Sequence, residues 1–90
     1  MTLFWLSFCD PDRPKGSQFL GACIVEGQSG VPMSAIQTAW LRKCNPGGEV
    51  QIAEILPSLV KHVAPKWMNR LLTREEAQEF DREMKPHGAN

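Results

Sequence analysis

The chain predicts an α+β fold: a small three-stranded mixed sheet in the order β-β-α-β-α, with one helix packed on a face and a C-terminal helix beside it. Three observations carry this. Residues 3–9, Leu-Phe-Trp-Leu-Ser-Phe-Cys, are apolar on both alternating sets, as a central strand requires. Met33, Ile36, Trp40 and Cys44 recur at spacings of three and four, the period of a helix face. Between them and Val50, Asn45-Pro46-Gly47-Gly48 stops the helix and turns the chain, because Pro46 lacks an N–H and disfavours helical backbone at Asn45.

The elements follow in order. After the first strand, Asp10 to Gln18 is polar and Pro-rich and reads as a solvated loop. Phe19 to Glu26 is a second strand, antiparallel to the first, with Gly21 marking a bulge or a close approach. Gly27-Gln28-Ser29-Gly30 is turn material, and a helix starts at Pro32 or at the capping box Ser34-x-x-Gln37, with Ala35 and Ala39 beside its apolar stripe and Trp40 on it, buried. Residues 49–56 fit a strand or a helical stripe. Pro57 decides for the strand, since inside a helix it would cost about 3 kcal/mol. A helical turn over 58–64 ends at Pro65. Thr73 with Glu76 forms a capping box and Leu72 with Ala77 a hydrophobic staple, which start a helix at Arg74 that runs to Lys85. Residues 1–85 are thus one domain, and 86–90 a frayed tail.

A right-handed crossover makes the second and third strands parallel and places the doubly apolar first strand between them, in the order 2-1-3. Both edges of such a sheet are open to a partner or to a second copy of the chain.

Composition narrows the function classes. Ninety residues with 42% hydrophobic content make a single core. Ten basic and ten acidic residues leave a formal net charge of zero, which argues against a general nucleic-acid binder. Three cysteines without a C-x-x-C pair point to reduced thiols and a cytoplasmic location. The apolar opening is too short, and lacks the basic flank, for a signal peptide, and no run is long enough to span a membrane.

Candidate sites each have a plainer reading. Asp12, Arg13 and Lys15 on the polar loop offer charge to a partner, or are merely solvated. Lys66, Trp67 and Arg70 surround a tryptophan that either anchors a partner or packs under the C-terminal helix. Gly47 and Gly48, with Arg42 and Lys43 nearby, offer backbone amides to an anion such as a nucleotide phosphate. The order helix-then-strand brings a negative helix end to that turn, which favours a structural role. Cys9 beside Asp10, with His62 or His87, sketches a thiol nucleophile that the spacing does not support. Asp10-x-Asp12 lacks a third oxygen donor for a metal, and no cofactor is expected.

The segments Asp10-Pro11-x-Arg13-Pro14-Lys15-Gly16, Phe19-Leu20-Gly21-Ala22, Ala39-Trp40, Cys44 to Val50 and Asn69-Arg70-Leu71-Leu72-Thr73 carry a resemblance that spans most of the chain. It resembles a group of short phage and bacterial proteins with no established activity. That resemblance implies a small phage protein that binds and blocks a host or defence component, and it carries over no site residue. The resulting expectation is a non-catalytic protein that binds a macromolecular partner, with a ligand-sequestering protein at Gly47–Gly48 or a thiol enzyme at Cys9 as alternatives.

Overall fold

In the computed structural model, which describes residues 1–88, strands β1 (Thr2–Cys9), β2 (Phe19–Gly27) and β3 (Glu49–Glu54) form one sheet in the order β2-β1-β3. Helix α1 (Pro32–Leu41) joins β2 to β3. Helix α2 (Pro57–Val60), a 3-10 turn at Pro65–Trp67 and helix α3 (Arg74–Gly88) follow. β1 is antiparallel to both neighbours, so β2 and β3 run parallel to each other on either side of it. The predicted order and orientations hold. Both ladders between the three strands are antiparallel, so the sheet is antiparallel rather than mixed.

Each face of β1 fills a separate core. Phe4, Leu6 and Phe8 pack with Cys23, Val25, Ala35, Ala39 and Cys44 under α1. Leu3 packs on the opposite face with Ile24, Trp67, Leu72, Phe80 and Met84 under α3. The double apolarity of β1 in sequence is therefore a three-layer arrangement in space, helix on sheet on helix.

Helix α1 departs from the expected stripe. Ala35 and Ala39 are fully buried, whereas Met33 and Trp40 are 60% and 58% exposed. Small side chains let the helix backbone approach the sheet, and once Ala39 faces inward Trp40 is turned about 100° away from it. Pro32 sits in the first turn; the Ser34 hydroxyl instead accepts from the Gln28 amide (2.7 Å) and donates to the Val31 carbonyl (2.6 Å). The helix also ends before Asn45-Pro46 acts. Lys43 takes the left-handed conformation (φ 60°), its amide bonds the Trp40 carbonyl at 3.1 Å, and the Cys44 amide bonds Ala39 at 3.0 Å. This is a Schellman ending with lysine in the position glycine usually holds.

β3 ends at Glu54 and Pro57 opens α2, as the proline requires. The capping box of α3 forms: the Thr73 amide donates to Glu76 (3.1 Å) and the Glu76 amide to the Thr73 hydroxyl (3.2 Å). The helix passes Pro86 and continues to Gly88, beyond its predicted end. His87, stacked on His62 with ring centroids 3.7 Å apart, ties down that last turn. The remainder of the predicted tail, 89–90, lies outside the described residues.

Candidate functional site

The residues favoured in the sequence divide into three places. On the 10–18 loop, the Asp10 carboxylate accepts from the Asp12 amide at 3.0 Å and pairs with Arg13 at 3.6 Å. The Gln18 side chain donates to the carbonyls of Pro11 and Arg13. Asp12, Arg13 and Lys15 are exposed on this internally bonded loop.

The Lys66–Arg70 segment is turned inward. Trp67 is 2% exposed, packs edge-on against Phe80, and donates its indole N–H to Glu83 at 3.1 Å. It cannot serve as a partner anchor, which corrects that expectation in favour of packing under α3. Lys66 lies over the Trp67 ring and meets Glu83 at 3.6 Å, and Arg70 meets Glu76 at 2.7 Å. Both cations are spent on fastening this segment to α3. The Arg70 contact, followed by the bond from the Thr73 amide, holds the Glu76 carboxyl below the usual range.

At the 42–48 turn the anion-site reading fails on geometry. The Gly47 amide donates to the Asn45 side chain at 2.8 Å. Gly48 is backed against β1, where an added Cβ would stand 2.5 Å from the Cys9 carbonyl oxygen. One of the two glycine amides is thus already bonded, and the backbone of Lys43, though not its side chain, is used in the helix ending. Arg42 and Lys43 remain exposed.

Cys9 is half-buried at one end of β1, beside Phe19. Arg74, at the start of α3, lies over the Phe19 ring, and His87 follows Arg74 by thirteen residues, about 20 Å along the helix. The histidine pair is therefore at the opposite end from the thiol. Cys23 and Cys44 are buried as neighbours, and burial pushes both thiols above their ordinary range. Among the described residues no group of three or more His, Cys, Asp or Glu side chains is placed to hold a metal ion, and no helix is long and apolar enough to cross a membrane.

Sequence reasoning missed the surface formed by the free edge of β3 and the flank of α1 that carries Ile36. Among the described residues β3 pairs only with β1. The Ile55 amide donates to the Leu3 carbonyl at 2.8 Å, which fixes the phase of the ladder: odd-numbered residues of β3 bond toward β1. The main-chain groups of Val50, Ile52 and Glu54 therefore face outward at the edge. Glu49–Glu54 contains no lysine, no proline and no register shift, and its two charges, Glu49 and Glu54, stand at its ends and leave Val50 to Ala53 without one. On the α1 side of this edge Val50 and Ile52 are half-buried in the same cluster as Ile36. Met33 and Trp40, three and four residues from Ile36, share its flank of the helix. The Glu54 carboxylate closes one end by accepting from the Ser29 hydroxyl (2.7 Å) and the Gly30 amide (3.2 Å). The signal that finds this surface is the Ala35–Ala39 pair: taking alanines as the packing face puts Trp40 outside.

On the opposite face, a cleft of about 510 Å³ lies between the start of α3 and the sheet, lined by Trp5, Phe19, Phe80, Arg74, Gln78 and Asp81. Trp5 stacks on Phe80 at 5.3 Å.

A scan against protein-family models finds no match for this chain, and searches of curated proteins and of solved structures find none either.

Proposed function

We propose that the protein acts by binding a polypeptide partner on the surface formed by the β3 edge and the adjoining flank of α1. One observation supports this above the rest: a strand edge with three outward residues, charged only at its ends, is open while the flank of α1 that carries Ile36 leaves a tryptophan exposed. A partner strand added there gains main-chain hydrogen bonds, and Trp40 with Met33 supplies the apolar anchor. The resemblance to short phage proteins supports an inhibitor of a host or defence protein as the form such binding takes.

The test is native mass spectrometry of the tagged chain purified from its host, compared with Trp40→Glu. A stoichiometric polypeptide, or a second copy of the chain, present with the native protein and lost from the variant supports the reading. Recovery unchanged by the substitution overturns it.

The small-ligand alternative finds its support in the Trp5 cleft rather than at Gly47–Gly48. A volume of about 510 Å³ falls in the range of small-molecule sites, and aromatic walls with Arg74 and Asp81 suit a flat ligand with polar ends. Retention of a co-purified small molecule that Trp5→Ala abolishes would favour it.

A further inference from the structure

We infer that the β3 edge pairs with the same edge of a second copy of this chain, joining two three-stranded sheets into one of six strands about a two-fold axis at Ile52. This rests on the partner-binding reading of that surface and names the partner.

The register follows from the ladder. Residues directly opposed across an antiparallel pair place their side chains on the same face, so the outward-bonding residues Val50, Ile52 and Glu54 must pair among themselves. The stretch held along β1 runs from Glu49 to Ile55, and its midpoint is Ile52. A two-fold at Ile52 therefore uses the whole edge: Ile52 opposes the partner's Ile52, and Val50 opposes the partner's Glu54. Sliding two residues one way brings the two Glu54 side chains onto a diagonal of about 7–8 Å. Sliding the other way sets the partner's Glu54 against Gly48, whose φ of 78° leaves the extended strand. The central register alone avoids both.

Charge and shape agree with self-association. A chain of zero formal charge carries no net repulsion for its own copy. The two-fold brings the partner's Glu54, whose carboxylate already accepts from Ser29 and Gly30 of its own copy and keeps its negative charge, toward the end of the sheet where the 42–48 turn carries Arg42 and Lys43. Among the described residues no carboxylate pairs with either cation. Helix α1 lies over β2 and β1. With strands about 4.8 Å apart, the two copies of α1 stand about 19 Å from each other on one face, roughly twice the separation of helices in contact. Only large side chains fill such a gap, and the flank that faces it carries Met33, Ile36 and Trp40.

Sedimentation equilibrium and amide hydrogen exchange on the full chain test this together. The expected result is a mass twice that of one chain, with exchange at Val50, Ile52 and Glu54 slowing as concentration rises, and loss of the dimer in Trp40→Glu. The exchange measurement needs no variant, so it stands whether or not a substituted chain folds. A monomer at every concentration overturns the inference, as does a dimer in which those three amides exchange as fast as in dilute solution. A monomer that binds some other polypeptide through Trp40 overturns self-pairing alone and leaves the partner-binding reading standing.

Discussion

At the β2 edge of the sheet, the segment 68–72 lies alongside the strand: the Asn69 amide donates to Ile24 at 2.9 Å, and Ala22 and Leu72 exchange bonds of 3.1 and 2.6 Å. At the β3 edge, six residues from Glu49 to Glu54 bond on one side only. The closed edge is built from irregular backbone that no hydrophobic period announces. Asn69 adopts φ 60°, which redirects the chain just after its bonded amide, and Gly21 makes room for Leu71, whose Cδ1 would stand 2.6 Å from an added Cβ. The tryptophans divide in the same way: Trp67 is sealed beneath α3 beside the closed edge, and Trp40 stands exposed beside the open one. This small chain thus uses its covering segment on one edge and leaves the other open.

Substitutions at four positions and one titration test the contrast between the two edges. Trp67→Ala removes the anchor of the closed side and is expected to cost about 3–5 kcal/mol in urea unfolding. A loss below about 1 kcal/mol would mean that α3 and the 68–72 segment do not depend on it. Gly48→Ala forces a Cβ against the Cys9 carbonyl at left-handed φ, where β3 begins. About 2–4 kcal/mol of lost stability is expected by the same measurement. Full stability would show that β3 does not start against Cys9 as described.

Thr73→Ala breaks the capping box that follows the closed edge and should cost about 1 kcal/mol, restored by Thr73→Ser. Trp40→Ala is expected to change monomer stability by no more than about 0.5 kcal/mol, because the side chain is exposed. Measured in dilute solution, a cost near that of Trp67→Ala would contradict the contrast between the two tryptophans.

The smallest effect is with pH. Desolvation, then the charges of His87 and Lys61, lowers the pKa of His62 below 6.5 in the folded state. The unfolded chain therefore binds the proton more readily, and stability falls as pH drops below about 6.5. Thermal unfolding at about pH 7 and about pH 5.5 should show that decline, and His87→Gln should reduce it. Unchanged melting across this range would remove the histidine stack as a fastening of α3.

Much of this architecture was legible because it depends on short-range rules. Two-sided apolarity placed β1 in the centre, Pro57 ended β3, and Thr73 with Glu76 opened α3. The candidate site was less legible. Met33, Ile36, Trp40 and Cys44 formed the more hydrophobic stripe, but how closely a helix approaches a sheet depends on side-chain volume, and the alanines won the inward position. Trp67, in a proline-flanked connection, gave no period by which to tell packing from exposure.

Local pattern was enough for the order of the strands and the main helices and for the strand order 2-1-3, since periodicity and proline act over a few residues, but not for the ending of α1 at Lys43 or the 3-10 turn at Pro65–Trp67. The tertiary structure alone decided which sheet edge is covered, which tryptophan is buried and which cations are already paired. Those outcomes hinge on contacts between segments far apart in the chain, such as Ala22 with Leu72 and Trp67 with Glu83, and no local pattern encodes such a meeting.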